Sequence, residues 1–90
     1  MRMKKLMESV LASALLAVTA RAEVPIDFNL SDTGRVSMAV YDGQGRQVRS
    51  LLYGANQDAG PHKVTWDGLD WTGRPASPGI YEWRLLESQG

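Results

Sequence analysis

Residues 66–85 read WDGLDWTGRPASPGIYEWRL, with two aspartates, three glycines and three tryptophans in twenty positions. Such density suits either a binding site or a tight corner of a small β-domain. Tyr81, Trp83 and Leu85 alternate with Glu82 and Arg84, the period of a strand with one buried face. Trp66 ends a similar alternation, His62-Val64-Trp66 against Lys63 and Thr65. Between them lie Asp67-Gly68, Asp70, Gly73 and Pro78-Gly79, residues whose local backbone chemistry favours turns. The stretch therefore reads as a strand end, a turn held by aspartates, and a Pro-Gly step into a last strand.

Working outward, Ile26, Phe28 and Leu30 alternate with Asp27 and Asn29, and Val36, Met38 and Val40 with Ser37 and Ala39. A less regular strand follows over Arg46–Tyr53, where Val48 and Leu51 are out of step. A bulge near Arg49-Ser50 accounts for the slip. Asp42-Gly43-Gln44-Gly45-Arg46 and Asp70-Trp71-Thr72-Gly73-Arg74 share the form Asp-x-x-Gly-Arg, and Asp32-Thr33-Gly34-Arg35 shortens it. The aspartate accepts backbone N–H groups two residues on, and the glycine takes the left-handed position of a bulged hairpin. The arginine is expected to open the next strand towards solvent. Five short strands with frequent turn signals predict an all-β fold, a small antiparallel immunoglobulin-like β-sandwich. Phe28, Leu30, Val36, Met38, Val40, Val48, Leu51, Val64, Trp66, Tyr81, Trp83 and Leu85 should face inward. Strand order does not follow from these patterns.

The first 22 residues differ in kind. Arg2, Lys4 and Lys5 precede the apolar run Val10–Val18, and Ala20-Arg21-Ala22 has small-x-small form. This predicts a secretory signal peptide over residues 1–22, cleaved after Ala22, and a domain over residues 23–90. The run is too short to cross a bilayer, which takes about 20 residues. The chain balances ten basic against ten acidic residues; without Arg2, Lys4, Lys5, Arg21 and Glu8, six face nine. A net acidic domain argues against nucleic acid, whose phosphates need a basic face. Cysteine is absent, so no disulfide framework is expected despite export. A domain this small hides only about 60% of its surface, which favours packing against a neighbouring domain or partner chain.

Several residues resemble a known family. Val40-Tyr41-Asp42, Gly45-Arg46, Val48-Arg49, Ala59-Gly60, His62, Trp66-Asp67-Gly68, Asp70, Gly73, Pro78-Gly79, Tyr81 and Arg84-Leu85 match, in order, the Ig-like domain of flagellar hook-capping (FlgD-type) proteins. The resemblance covers roughly residues 26–87. It implies a β-sandwich module without catalytic residues, a pattern that recurs in exported bacterial proteins. Asp42, Gly45, Trp66, Asp67, Gly68, Asp70, Gly73, Gly79 and Tyr81 are its structural motif.

Each chemical alternative is weaker. Asp67 and Asp70 are a weak calcium candidate: the ion wants six to eight oxygens, and no acid stands at Leu69, Trp71 or Gly73. His62 is the only histidine, with no cysteine or Gly-x-Ser-x-Gly elbow to pair with it. The glycines lack phosphate-loop spacing. Neither cofactor nor catalytic residue is expected, and the chain is not read as an enzyme. Only Trp71, in a turn, offers an exposed ring for a sugar. The expected function is a non-catalytic structural or interaction module at the front of a longer exported protein, periplasmic or at the cell surface. The alternatives are a carbohydrate-binding module and a scaffold in flagellar or cell-surface assembly.

Overall fold

A computed structural model describes residues 9–19 and 23–87. Six strands run in order: β1 (Ser9–Val18), β2 (Val24–Leu30), β3 (Gly34–Tyr41), β4 (Gln47–Gln57), β5 (Gly60–Trp66) and β6 (Gly79–Glu87). They form a four-stranded sheet of order β1-β6-β3-β4 and a two-stranded sheet, β2-β5, antiparallel throughout. The sandwich expected from alternation is thus present, with β6 in the middle of the larger layer.

The period-two positions fill the core because each alternate side chain leaves the same face of its strand. Phe28, Leu30, Val36, Met38, Val40, Val48, Trp66, Tyr81, Trp83 and Leu85 are buried, and Leu51 and Val64 are packed against them half-buried. Val18, Ile26, Ala39 and Ala76 join the core beyond the expected set. Trp66 is fully buried and meets Tyr81 edge-on at 5.6 Å between ring centroids. Phe28 stacks on His62 at 5.2 Å, so the lone histidine serves as a half-exposed strand residue across the β2–β5 pair.

The irregular strand is longer than expected, running on to Gln57, and is bulged more than once. Val40 pairs Arg49 and Ala39 pairs Ser50, but Tyr41 pairs Gln47 and Met38 pairs Leu52. The extra residues are therefore Val48 and Leu51, flanking Arg49-Ser50. A further shift separates Val36↔Ala55 from Met38↔Leu52. The first two shifts let Val48 and Leu51, out of step in sequence, turn towards the core, whereas Tyr53 in the third stays exposed.

The apolar run expected to be leader is the edge strand β1 in this chain, paired with β6 from Ser9↔Glu87 to Val18↔Gly79. Leu16 and Val18 lie opposite Tyr81 and Gly79. On the same face Ala12 and Leu16 pack against the core, whereas Ala14 stays exposed although it lies opposite buried Trp83. Residues 1–8 and 20–22, the basic start and the cleavage site of the expected leader, lie outside the described residues.

Candidate functional site

The two Asp-x-x-Gly-Arg segments fold alike. Asp42 N–H donates to the Arg46 carbonyl at 2.9 Å and Gly45 N–H to the Asp42 carbonyl at 3.0 Å. Asp70 and Gly73 repeat the pair at 2.7 and 2.9 Å. Gly45 and Gly73 have φ of 81° and 87°, the left-handed region in which a Cβ would strain the backbone. In each turn the aspartate Oδ1 accepts two backbone N–H groups: Gln44 and Arg46 on Asp42, Thr72 and Arg74 on Asp70. Asp70 Oδ1 also accepts the Thr72 hydroxyl at 2.6 Å, and Asp42 Oδ2 the Arg46 Nε at 3.0 Å.

Donors aimed at a carboxylate favour its charged form. Asp42 is held below the ordinary carboxylate value chiefly by the Arg46 backbone N–H, and Asp70 chiefly by the Thr72 hydroxyl.

The copies differ beyond the turn itself. Arg46 remains in the turn, ion-paired to Asp42, and β4 opens at Gln47 rather than at the arginine. Arg74 opens no strand at all. Leu69 and Pro75 make only an isolated bridge, and β6 waits until Gly79, because Pro75 and Pro78 have no N–H to give a ladder.

Asp67 caps a third, smaller turn: its Oδ1 accepts Leu69 N–H at 3.0 Å, and Trp66 Nε1–H donates to the Leu69 carbonyl at 2.9 Å. Gly68 is buried, and its carbonyl accepts Ala76 N–H at 2.8 Å. Arg49 ties this corner to β4. Its Nη1 donates to the Leu69 and Asp70 carbonyls at 3.3 and 3.2 Å, and its Nη2 reaches Asp67 Oδ2 at 3.5 Å. Sequence reasoning gave Arg49 no such role, since its acceptors lie about twenty residues away. Tyr81 donates its hydroxyl to the Ser77 carbonyl at 2.6 Å, four residues upstream, in the manner of the tyrosine corner of Ig-like folds.

The two sequence-similar turns lie beside one hollow. Asp42, Val48, Asp70, Trp71, Ser77 and Tyr81 line one open hollow of about 370 Å³. Burial, and then the charges of Asp42 and Asp70, push the Tyr81 hydroxyl above its usual pKa. Trp71 stands at the hollow with 77% of its surface exposed, whereas Trp66 and Trp83 are core. Among the described residues, no three His, Asp or Glu side chains gather as a metal site requires. Of the weak calcium candidates, Asp67 directs both oxygens to Leu69 N–H and Arg49, and Asp70 directs its Oδ1 to the Thr72 and Arg74 N–H groups and the Thr72 hydroxyl.

The family model of the FlgD Ig-like domain matches residues 13–90. The chain belongs to the FlgD Ig-like domain family. The matched span begins inside β1, upstream of the Glu23 boundary expected from sequence. The crystal structure of FlgD from P. aeruginosa is similar with a TM-score of 0.77 and 28% identity, covering 91% of this chain and 64% of that one. FlgD from Xanthomonas campestris is similar in fold, with a TM-score of 0.70 and 23% identity, covering 91% of this chain and 59% of that one. The chain thus spans about three fifths of the length of these solved FlgD chains. No curated protein sequence matches it. Within the FlgD Ig-like domain, Asp42 and Gly45 build the 42–46 turn, Trp66, Asp67, Gly68, Asp70 and Gly73 lie in the 66–76 segment and its turns, Tyr81 bonds Ser77, and Gly79 opens β6 opposite Val18.

Proposed function

We propose that this FlgD Ig-like domain is a non-catalytic docking or spacer module in an exported bacterial assembly. Membership of the family over residues 13–90 carries the reading. The X. campestris protein is described in terms of hook capping essential for flagellar assembly, and a scaffold role of that kind is the nearest model for this chain. The motif side chains support it, because the Oδ1 atoms of Asp42, Asp67 and Asp70 and the Tyr81 hydroxyl bond backbone groups of the turns they build. Export through the residue 1–22 leader, and a longer chain around the domain, belong to the same proposal.

A second reading has one observation in its favour: an exposed indole beside a hollow lined by two carboxylates is a surface on which a sugar ring can stack. Two experiments separate the readings. A photo-reactive residue at position 71 or at exposed Ile80 should crosslink to a protein in intact cells, while a glycan array stays blank. Saturable glycan binding that disappears in Trp71→Ala would replace docking with sugar recognition. For export, the chain recovered outside the cytoplasm should begin at Glu23; recovery there with Ser9 still attached rules out the leader.

A further inference from the structure

The four edges of the two sheets are not alike. A regular edge strand invites pairing by another chain, so proteins interrupt edges with proline, bulges or charge. β2 contains Pro25 and Asp27, β5 contains Pro61 and Lys63, and β4 is broken by three register shifts against β3. Next to β1, β6 is different. It has no proline, pairs β3 in unbroken register from Tyr41↔Glu82 to Val36↔Glu87, and carries buried Tyr81, Trp83 and Leu85. It is built to have a strand on both sides.

The strand on its outer side is a poor edge in its own right. β1 has neither charge nor proline, and Val10, Leu11 and Leu15 are exposed, Leu15 to 72%. Its one irregularity is a bulge at Leu11. An apolar strand with an exposed apolar outer face, followed by Ala20-Arg21-Ala22, has a leader's chemistry more than an edge strand's. Cleavage after Ala22 would remove β1 whole. It would uncover Val18's place in the core and leave the outer ladder of β6 unpaired.

We propose that the outer edge of β6 is a strand-acceptor seat: when β1 is absent, it takes an extended segment of a partner polypeptide, antiparallel to β6, with small or aliphatic residues at alternate positions. Backbone pairing along Gly79–Glu87 would supply affinity, and the inward side chains would set register. The chemistry of the occupant is that of the strand now seated there: Ala12, Ala14, Leu16 and Val18 lie opposite Leu85, Trp83, Tyr81 and Gly79. In the cell the seat rests on the loss of β1 with the leader of the proposed function, while an engineered cut opens it whether or not the cell cleaves there.

The test uses the full chain with a site-specific protease sequence in place of residues 20–22. The probe is a fluorescent peptide of residues 9–18, with lysines beyond its ends for solubility. The uncut chain should not take up the probe, because its own β1 competes at an effective concentration in the millimolar range. After cutting, the chain should bind it saturably. Leu16→Asp in the peptide, on the inward face, should weaken binding at least tenfold, and Leu15→Asp, on the outward face, should not. If the cut chain unfolds, adding the probe should restore its β-sheet circular dichroism. No uptake by the cut chain, equal binding of both variant peptides, or unfolding that the probe does not reverse would each overturn the proposal.

Discussion

Tyr81 is tied to Ser77 by a 2.6 Å hydrogen bond from its hydroxyl to the Ser77 carbonyl, and this bond fixes the start of β6 against the preceding turn. Tyr81→Phe keeps the ring but leaves the carbonyl without its donor. The expected loss is about 1 kcal/mol, measured as a lower urea midpoint with unchanged slope. The pH dependence has a definite sign. The folded chain favours the neutral hydroxyl, so Tyr81's contribution is full below the ordinary value of 10.0 and fades as pH rises through its higher folded value. Above pH 10, Tyr81→Phe should therefore lose stability less steeply than the parent chain.

Asp42 and Asp70 act at the other end of the scale. Both carboxyls titrate below the ordinary value of 3.8 in the fold because turn donors face their charged oxygens. Their contribution is present above that value and is lost as pH falls through the lower folded values. Denaturant midpoints should thus drop as pH falls below about 4, and the drop should shrink in Asp70→Asn and shrink further when Asp42→Asn is added to it. An acid limb of unchanged slope in the double variant would mean that other carboxylates govern it.

Arg49 spans β4 and the corner through two neutral carbonyls, Leu69 and Asp70, with a longer contact to Asp67. Arg49→Ala should cost on the order of 1–2 kcal/mol, since hydrogen bonds to charged groups exceed neutral ones. Lysine carries charge without the planar fork, so Arg49→Lys should recover only part of the loss. The carbonyl acceptors carry no net charge to screen, whereas the half-exposed ion pair with Asp67 does. The stability difference between the parent and Arg49→Ala should therefore shrink only in part between about 0.05 and 1 M salt, and in an Asp67→Asn background it should change little.

Much of this architecture is legible in the sequence because it is local. Period two places Val36, Met38, Val40, Tyr81, Trp83 and Leu85 on buried faces, and Asp-x-x-Gly marks two corners whose glycines have positive φ. Bulging near Arg49-Ser50 follows from two apolar residues out of step, although only pairing with β3 shows that Val48 and Leu51 are the extra ones. Non-local relations are not legible. Nothing in the chain order says that turns 42–46 and 70–74 line one hollow, or that Arg49 meets Leu69. The run Val10–Val18 is ambiguous in a deeper way. An apolar stretch of that length satisfies both a leader and a strand, and pairing with β6 is a non-local relation that the run itself does not announce.

Three tryptophans, two buried and one exposed, allow core and surface roles to be separated in one spectroscopic experiment. Trp83 is 7% exposed and pairs with Val40 and Ala14, whereas Trp71 is 77% exposed. Truncating a buried tryptophan costs about 3–5 kcal/mol, a large share of what a small domain has at about 0.05–0.15 kcal/mol per residue. Trp83→Ala should therefore unfold at much lower urea, or fail to fold at about 37 °C. Trp71→Ala lies away from the core and should stay within about 0.5 kcal/mol of the parent. Acrylamide should quench one fraction of the parent's emission readily and the rest poorly. Trp71→Phe should remove the readily quenched, red-shifted fraction and leave the remainder unchanged. If that fraction persists in Trp71→Phe, then Trp66 or Trp83 meets water, and the two sheets do not pack as a sandwich over these rings.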